Sequence, residues 1–238
     1  MNIILLSIMA GVFGMGLGGV IAAILGKSAE KMTTLLLSFA GGVMTSIVFF
    51  EFMPEAIEYG GAVVAIIGLV LGVLVVMILN IFLDKVSGVD HNRGMIHTGI
   101  ILIIAIGIHN VPEGMAIGAA GIHDISLGVT IAILIALHNI PEGMAVAAPF
   151  IAGGVGRAKT VLITVLCGTT TVIGALIGVA VGGVSDTTLA FCLAFAGGAM
   201  LYVVFGEILP QSINKRKSNV PMLVLLVGIV AGLLITFI

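Results

Sequence analysis

Two six-residue stretches carry the same chemistry in the same order: His109-Asn110-Val111-Pro112-Glu113-Gly114 and His138-Asn139-Ile140-Pro141-Glu142-Gly143. Both sit inside long apolar runs. An ionisable side chain is costly in such a run, and in a membrane span it marks a functional site by default. Residues i, i+3 and i+4 share one face of a helix. Each stretch therefore puts its His, Asn and Glu on a common face. Two such helices face to face bring two imidazoles, two carboxylates and two amides to one point. Mixed nitrogen and oxygen ligands suit divalent transition metals of borderline softness and argue against copper(I), which prefers thiolates. The plain alternative is a buried polar cluster that joins helices. Paired ionisable groups at one depth favour metal binding over that reading for His109, Glu113, His138 and Glu142. For Asn110 and Asn139 the choice lies between ligation or support of the ligands and an interhelical hydrogen bond.

The elements that must position these groups are read from the composition. The chain has 238 residues, 60% hydrophobic and only 8% charged. A soluble domain carries about 25% charged residues. A membrane span needs about 20 mostly apolar residues. Breaking the chain at its charged and turn-rich stretches gives eight such segments, 2–25, 33–53, 61–82, 96–120, 126–148, 158–182, 188–209 and 220–238. The expectation is a single all-α transmembrane domain, residues 1–238, with no soluble core. No basic residue precedes the first segment, so it reads as a span rather than a cleaved signal. The two cysteines, Cys167 and Cys192, lie in apolar runs and form no zinc-knuckle spacing. Cys167 on span 6 reads as a buried small hydrophobe rather than a soft ligand.

All nine basic residues, Lys27, Lys31, Lys85, Arg93, Arg157, Lys159, Lys215, Arg216 and Lys217, fall at or in the loops after spans 1, 3, 5 and 7. The positive-inside rule puts those loops in the cytoplasm and both termini outside. The outside loops carry Glu55, Glu58, Asp124 and Asp186. Asp90, His91 and His97 in the short loop between spans 3 and 4 read as solvated loop residues. His123-Asp124 reads as a turn.

A second repeat follows. Residues 39–54 read FAGGVMTSIVFFEFMP and residues 195–210 read FAGGAMLYVVFGEILP, with Phe, Ala, Gly, Gly, Met, Val, Phe, Glu and Pro recurring at one constant offset. Span 2 runs outward and span 7 inward, so the copies are antiparallel, as are spans 4 and 5. Inverted repeats of this kind are a transporter signature, with the binding site near the midplane. His109 lies roughly 20 Å into span 4 and His138 roughly 18 Å into span 5, at 1.5 Å per residue. Both depths fall near the middle of a hydrocarbon core of about 30 Å. Pro112 and Pro141 have no N–H, which frees the carbonyls of Ile108 and Leu137. Gly114 and Gly143 let a neighbouring helix come close. Glu51 and Glu207 occupy matching repeat positions, near the outer end of span 2 and the inner end of span 7. They read either as carboxylates on the metal's path or as solvated interface residues.

These residues resemble the ZIP family of divalent-metal transporters over essentially the whole chain. The HNxPEG motif on span 4 and a second His-x-x-x-Glu on span 5 carry the resemblance. It implies eight transmembrane helices with inverted repeats in a 3+2+3 arrangement, outward termini, and a binuclear-type centre between spans 4 and 5. Carried over residue by residue, the metal set is His109, Asn110 and Glu113 with His138, Asn139 and Glu142. Met44 on span 2 matches a family position that contacts metal, with simple packing as the alternative. One departure concerns span 6, where close bacterial relatives often have a glutamate. Here the stretch reads Cys167-Gly168-Thr169-Thr170-Thr171-Val172, with Thr171 in its place. A second departure is the short loop after span 3, which many relatives have long and histidine-rich.

The resulting expectation is a secondary transporter, not an enzyme. Its cargo is a divalent ion entering the cytoplasm: zinc first, then iron, manganese, cobalt or cadmium. No prosthetic group and no nucleic-acid partner is expected. The partners are the metal ions, the lipid bilayer and, as an open expectation, a second copy in a homodimer. An intramembrane metal-dependent hydrolase is the alternative, but the chain lacks the HExxH order in which Glu lies between two His. A haem protein using His109 and His138 is disfavoured by the adjoining carboxylates.

Overall fold

Helix α1, Ile3–Leu25, opens on an Asn2 cap, loosens into a π-helical turn over Ile8–Phe13 and stops at Gly26, whose φ of 58 suits glycine. The structure is a computed structural model and describes residues 2–26, 29–87, 95–182, 185–216 and 218–236. Lys27, Asp90, His91, Arg93 and Lys217 lie outside the described residues. Helix α2, Ala29–Ile47, passes through a π-helical turn, Val48–Phe52, into α3, Met53–Ser87. Next come α4, Met95–His123, α5, Ile125–Ala152, and α6, Arg157–Gly182. Helix α7, Asp186–Tyr202, passes through a third π-helical turn, Val203–Ile208, into the short α8, Leu209–Arg216. The last helix is α9, Val220–Thr236.

Six helical runs among the described residues are long and apolar enough to cross a membrane, and Val220–Leu234 is a shorter apolar helix. The chain is thus an all-helical, polytopic membrane protein. The segments expected over 33–53 and 61–82 form one helical run, Met32–Phe82, of 51 residues. At 1.5 Å per residue a straight run of that length would be about 75 Å, over twice a bilayer core. It is not straight in backbone terms, because Gly61 interrupts it at φ 76, ψ 163.

The packing is pairwise. Helix α3 lies along α7, α4 along α6, α9 along α2 and α1 along α5. Helices α4 and α5 also pack on each other, and α2 and α7 cover α5 and α4 respectively. Small residues permit the close approaches. Gly114 sits against Thr171 and Ala175 of α6, while Gly143 sits against Met15 of α1. Gly72 meets Phe195, and Gly228 meets Phe39. A side chain at any of these positions would collide with backbone of the facing helix. The large apolar side chains that stay exposed, such as Ile24, Val63 and Leu223, lie on the outer helix faces, as a lipid-facing surface requires.

Candidate metal centre

Helices α4 and α5 remain helical through Pro112 and Pro141 and carry their polar residues to a shared contact. His109, Asn110, Glu113, His138, Asn139 and Glu142 are all 0–3% exposed. The pairing is crossed between the helices. His109 Nε2 stands 3.4 Å from Glu142 Oε2, and His138 Nε2 stands 3.1 Å from Glu113 Oε1. Exchanging the two motif copies converts one pair into the other. Ligand atoms of His109, Glu113 and Glu142 all lie within 4.8 Å of one another.

The tautomer of His138 follows from its other nitrogen. Nδ1 lies 3.1 Å from the Leu134 carbonyl, which can only accept, so Nδ1 carries the proton. Nε2 then donates to Glu113 Oε1 when the ring is protonated, and in the neutral ring it offers a lone pair to an ion held between the two groups. Two ligand atoms at 2.0–2.1 Å from a tetrahedral ion stand about 3.3 Å apart. The His–Glu separations of 3.4 and 3.1 Å match that spacing.

Several polar atoms here have no hydrogen-bond partner among the described residues: Glu113 Oε2, Glu142 Oε1, Asn139 Oδ1 and both amide atoms of Asn110. An unsatisfied buried carboxylate oxygen is expensive. A cation or water held between them would satisfy these atoms. The Asn139 amide nitrogen donates to the Ala10 carbonyl at 3.1 Å, in the π-helical turn of α1. The loosened turn thus presents a backbone carbonyl to a neighbouring helix.

A cavity of about 60 Å³ leads away from His109 and Glu142. It passes Glu207 and reaches Thr33 and Thr34 at the start of α2 and Ser212 in α8. Those are the ends flanked in sequence by Lys27, Lys31, Lys215, Arg216 and Lys217. Glu207 accepts a 2.6 Å hydrogen bond from Asn80 of α3. Sequence reasoning missed Asn80, although a lone amide in an otherwise apolar segment was a usable signal. It also missed Thr33, Thr34 and Ser212, which look like ordinary helix-end residues.

The remaining expected residues fall in different places. Met44 is fully buried in the apolar core with Ile47 and Val48 and does not line the cavity. Thr171 is fully buried with its hydroxyl unpartnered, and a side chain on Gly11 of α1 would meet its Cβ. Cys167 is buried, its thiol donating to the Ile103 carbonyl at 3.7 Å. His97 departs from the expected solvated loop: it sits in the first turn of α4, half-buried, with no hydrogen bond to Nε2 among the described residues. Helix α4 begins at Met95, within a residue of the expected segment start at 96, so His97 belongs to its first turn rather than to the loop. Asp124 caps α5 through Ser126 N at 2.8 Å, and the His123 ring meets Tyr59 edge-on at 4.5 Å. His123 Nδ1 lies 3.8 Å from Asp186.

Comparison with known proteins agrees with this picture. The family model described as ZIP zinc transporter matches residues 84–238. A zinc transporter ZupT of Akkermansia muciniphila is 32% identical, covering 98% of this chain and 94% of its own length. A zinc transporter ZupT of Corynebacterium glutamicum is also 32% identical, over 92% of this chain and 90% of that protein. Zinc transporter GufA of Myxococcus xanthus is 39% identical over 49% of this chain and 46% of that protein. With a near-full-length match at this identity, and two motif copies crossed into one buried centre, the chain belongs to the ZIP zinc transporter family.

Proposed function

We propose that this chain carries divalent metal ions, zinc first, into the cytoplasm through the centre between α4 and α5. One observation carries the reading. Two His–Glu pairs at ligand spacing share a buried point with carboxylate and amide oxygens that have no hydrogen-bond partner among the described residues. His109, Glu113, His138 and Glu142 are the primary ligands, with Asn110 and Asn139 beside them. Met44 is the weakest member of the set, because it packs in the core. Neutral imidazole and ionised carboxylate bind metal, so protons compete with the ion and promote release.

The fuller architecture is part of the proposal. Splitting the Met32–Phe82 run at Gly61 and counting α9 makes eight spans in one transport unit. Helices α1–α3 and α6–α9 then form inverted repeats around the α4–α5 pair, the 3+2+3 arrangement. Equivalent close approaches, Gly72 on Phe195 and Gly228 on Phe39, support it. With eight spans the basic loops are cytoplasmic and both termini are outside. The cavity from His109 and Glu142 then faces the cytoplasm, which fits release on that side.

The test is uptake into proteoliposomes with several divalent ions in competition and internal pH varied, for wild type and a His109→Ala/Glu142→Ala double variant. Zinc uptake is expected in the wild type and lost in the variant, together with metal bound per chain in detergent. Undiminished zinc binding by a well-folded double variant would remove the central claim.

A further inference from the structure

The inner cavity has a counterpart elsewhere in the molecule that is packed solid. Positions 39 and 195 begin the long repeat, an offset of 156, and His109 and His138 begin the motifs, an offset of 29. The same offsets hold in contacts. Gly174 lies against Val111, and its mate Gly18 lies against Ile140. The cavity-lining residues can therefore be mapped one by one. Thr33 and Thr34 map to Leu189 and Ala190, and Ser212 maps to Ala56. Val203 and Ile208 map to Ile47 and Phe52. On α4, Leu102, Ala105 and Ile106 map to Ile131, Leu134 and Ile135 of α5. Each of these mates is apolar, 0% exposed and part of one core cluster. Where the inner side has a cavity lined with hydroxyls, its mirror image is an apolar plug.

One mate breaks the apolar pattern. Glu207, which lines the inner cavity beside His109 and Glu142, maps to Glu51. Both glutamates sit in the π-helical turn that interrupts their helix, Val203–Ile208 and Val48–Phe52. Such turns re-aim side chains and recur at functional sites. In inverted-repeat transporters the site is reached from either side as the repeats exchange arrangements. On such an exchange the plug would open, and Glu51 would stand to His138 and Glu113 as Glu207 now stands to His109 and Glu142.

We infer that Glu51 is a cation-binding carboxylate of the outer route, the ligand that receives a divalent ion before it reaches the central site. Apart from the centre itself, it is the one polar group among the mates of the cavity-lining residues. An ion shedding water on an otherwise apolar path needs a charged ligand there. The inference rests on the transport reading above and adds a site to it.

The experiment compares wild type with Glu51→Gln in proteoliposomes oriented with the external face outward, with external zinc varied. The half-saturating zinc concentration is expected to rise about tenfold, while zinc bound per chain in detergent stays at the wild-type value. A half-saturation within twofold of wild type, with wild-type uptake intact, overturns the inference and leaves the transport reading standing. Absence of wild-type uptake would instead remove the transport reading. A second variant, Glu51→Cys in a Cys167→Ala/Cys192→Ala background, covers a folding failure of the first. It should react with an impermeant thiol reagent from outside and be protected by cadmium. No external reaction, or no protection, also overturns the inference.

Discussion

Glu142→Gln tests the centre with the smallest change in shape. It removes one negative charge from a group whose ligand atoms lie within 4.8 Å of each other, and it weakens the contact with His109 at 3.4 Å. Two unit charges 4 Å apart interact by about 4 kcal/mol at an effective dielectric of 20. For a divalent ion that becomes about 8 kcal/mol. The glutamine carbonyl returns part of this as an ion–dipole contact, and the free site no longer holds as much uncompensated charge. A net loss of roughly 3–4 kcal/mol corresponds to about 140- to 700-fold weaker binding, at 1.4 kcal/mol per factor of ten. Isothermal titration of zinc into detergent-purified protein measures it, with the elution profile and metal-free melting curve as folding controls. A dissociation constant within threefold of wild type would refute the claim that Glu142 ligates the ion.

Three further outcomes are expected. Gly143→Leu forces a side chain into the Met15 backbone of α1, so the metal-free protein should lose about 1–3 kcal/mol of stability or fail to assemble, read as early melting in detergent. Unchanged melting would mean α1 and α5 are not in contact there. Thr171→Glu should lower metal-free stability, because the residue is fully buried against Gly11, and should raise metal per chain by elemental analysis. Unchanged stoichiometry would place position 171 away from the ion. Glu55, between the segments 33–53 and 61–82, is held above the usual carboxylate range, first by burial and then by Glu58 and Asp124, with His123 opposing. A raised folded value means the cost of ionising Glu55 is absent below the ordinary carboxylate pKa and sets in as pH rises through the folded one. Glu55→Gln should therefore melt slightly higher than wild type at pH 7 and alike at pH 4; equal melting at both would discount the burial argument.

Much was legible in the sequence because its signals are local and periodic. A run of apolar residues long enough to span lipid has few alternatives, since every backbone group must be satisfied within the segment. The spacing of His109 to Glu113 and of His138 to Glu142 settles that they share a helix face, whatever surrounds them. What spacing cannot set is partnership between helices. That each histidine pairs with the glutamate of the other motif depends on how α4 crosses α5. The break expected between segments 33–53 and 61–82 falls at Gly61, after Glu55, Glu58 and Gly60, but that helix continues on both sides of it was not legible from those residues. The cavity too is a property of packing. Thr33, Glu207 and Ser212 are far apart in sequence and meet only because α2, α7 and α8 converge below His109. The asymmetry between the cavity and its tightly packed repeat counterpart lies in the same place. Thr33 and Leu189 hold equivalent repeat positions, yet one lines a cavity and the other is sealed in the core. Sequence alone determined the long apolar runs, the repeats and the chemistry of the motif residues, because each follows from residues near one another along the chain. Tertiary structure decided which motif side chains meet and on which side of them the cavity opens, because both depend on contacts between distant helices.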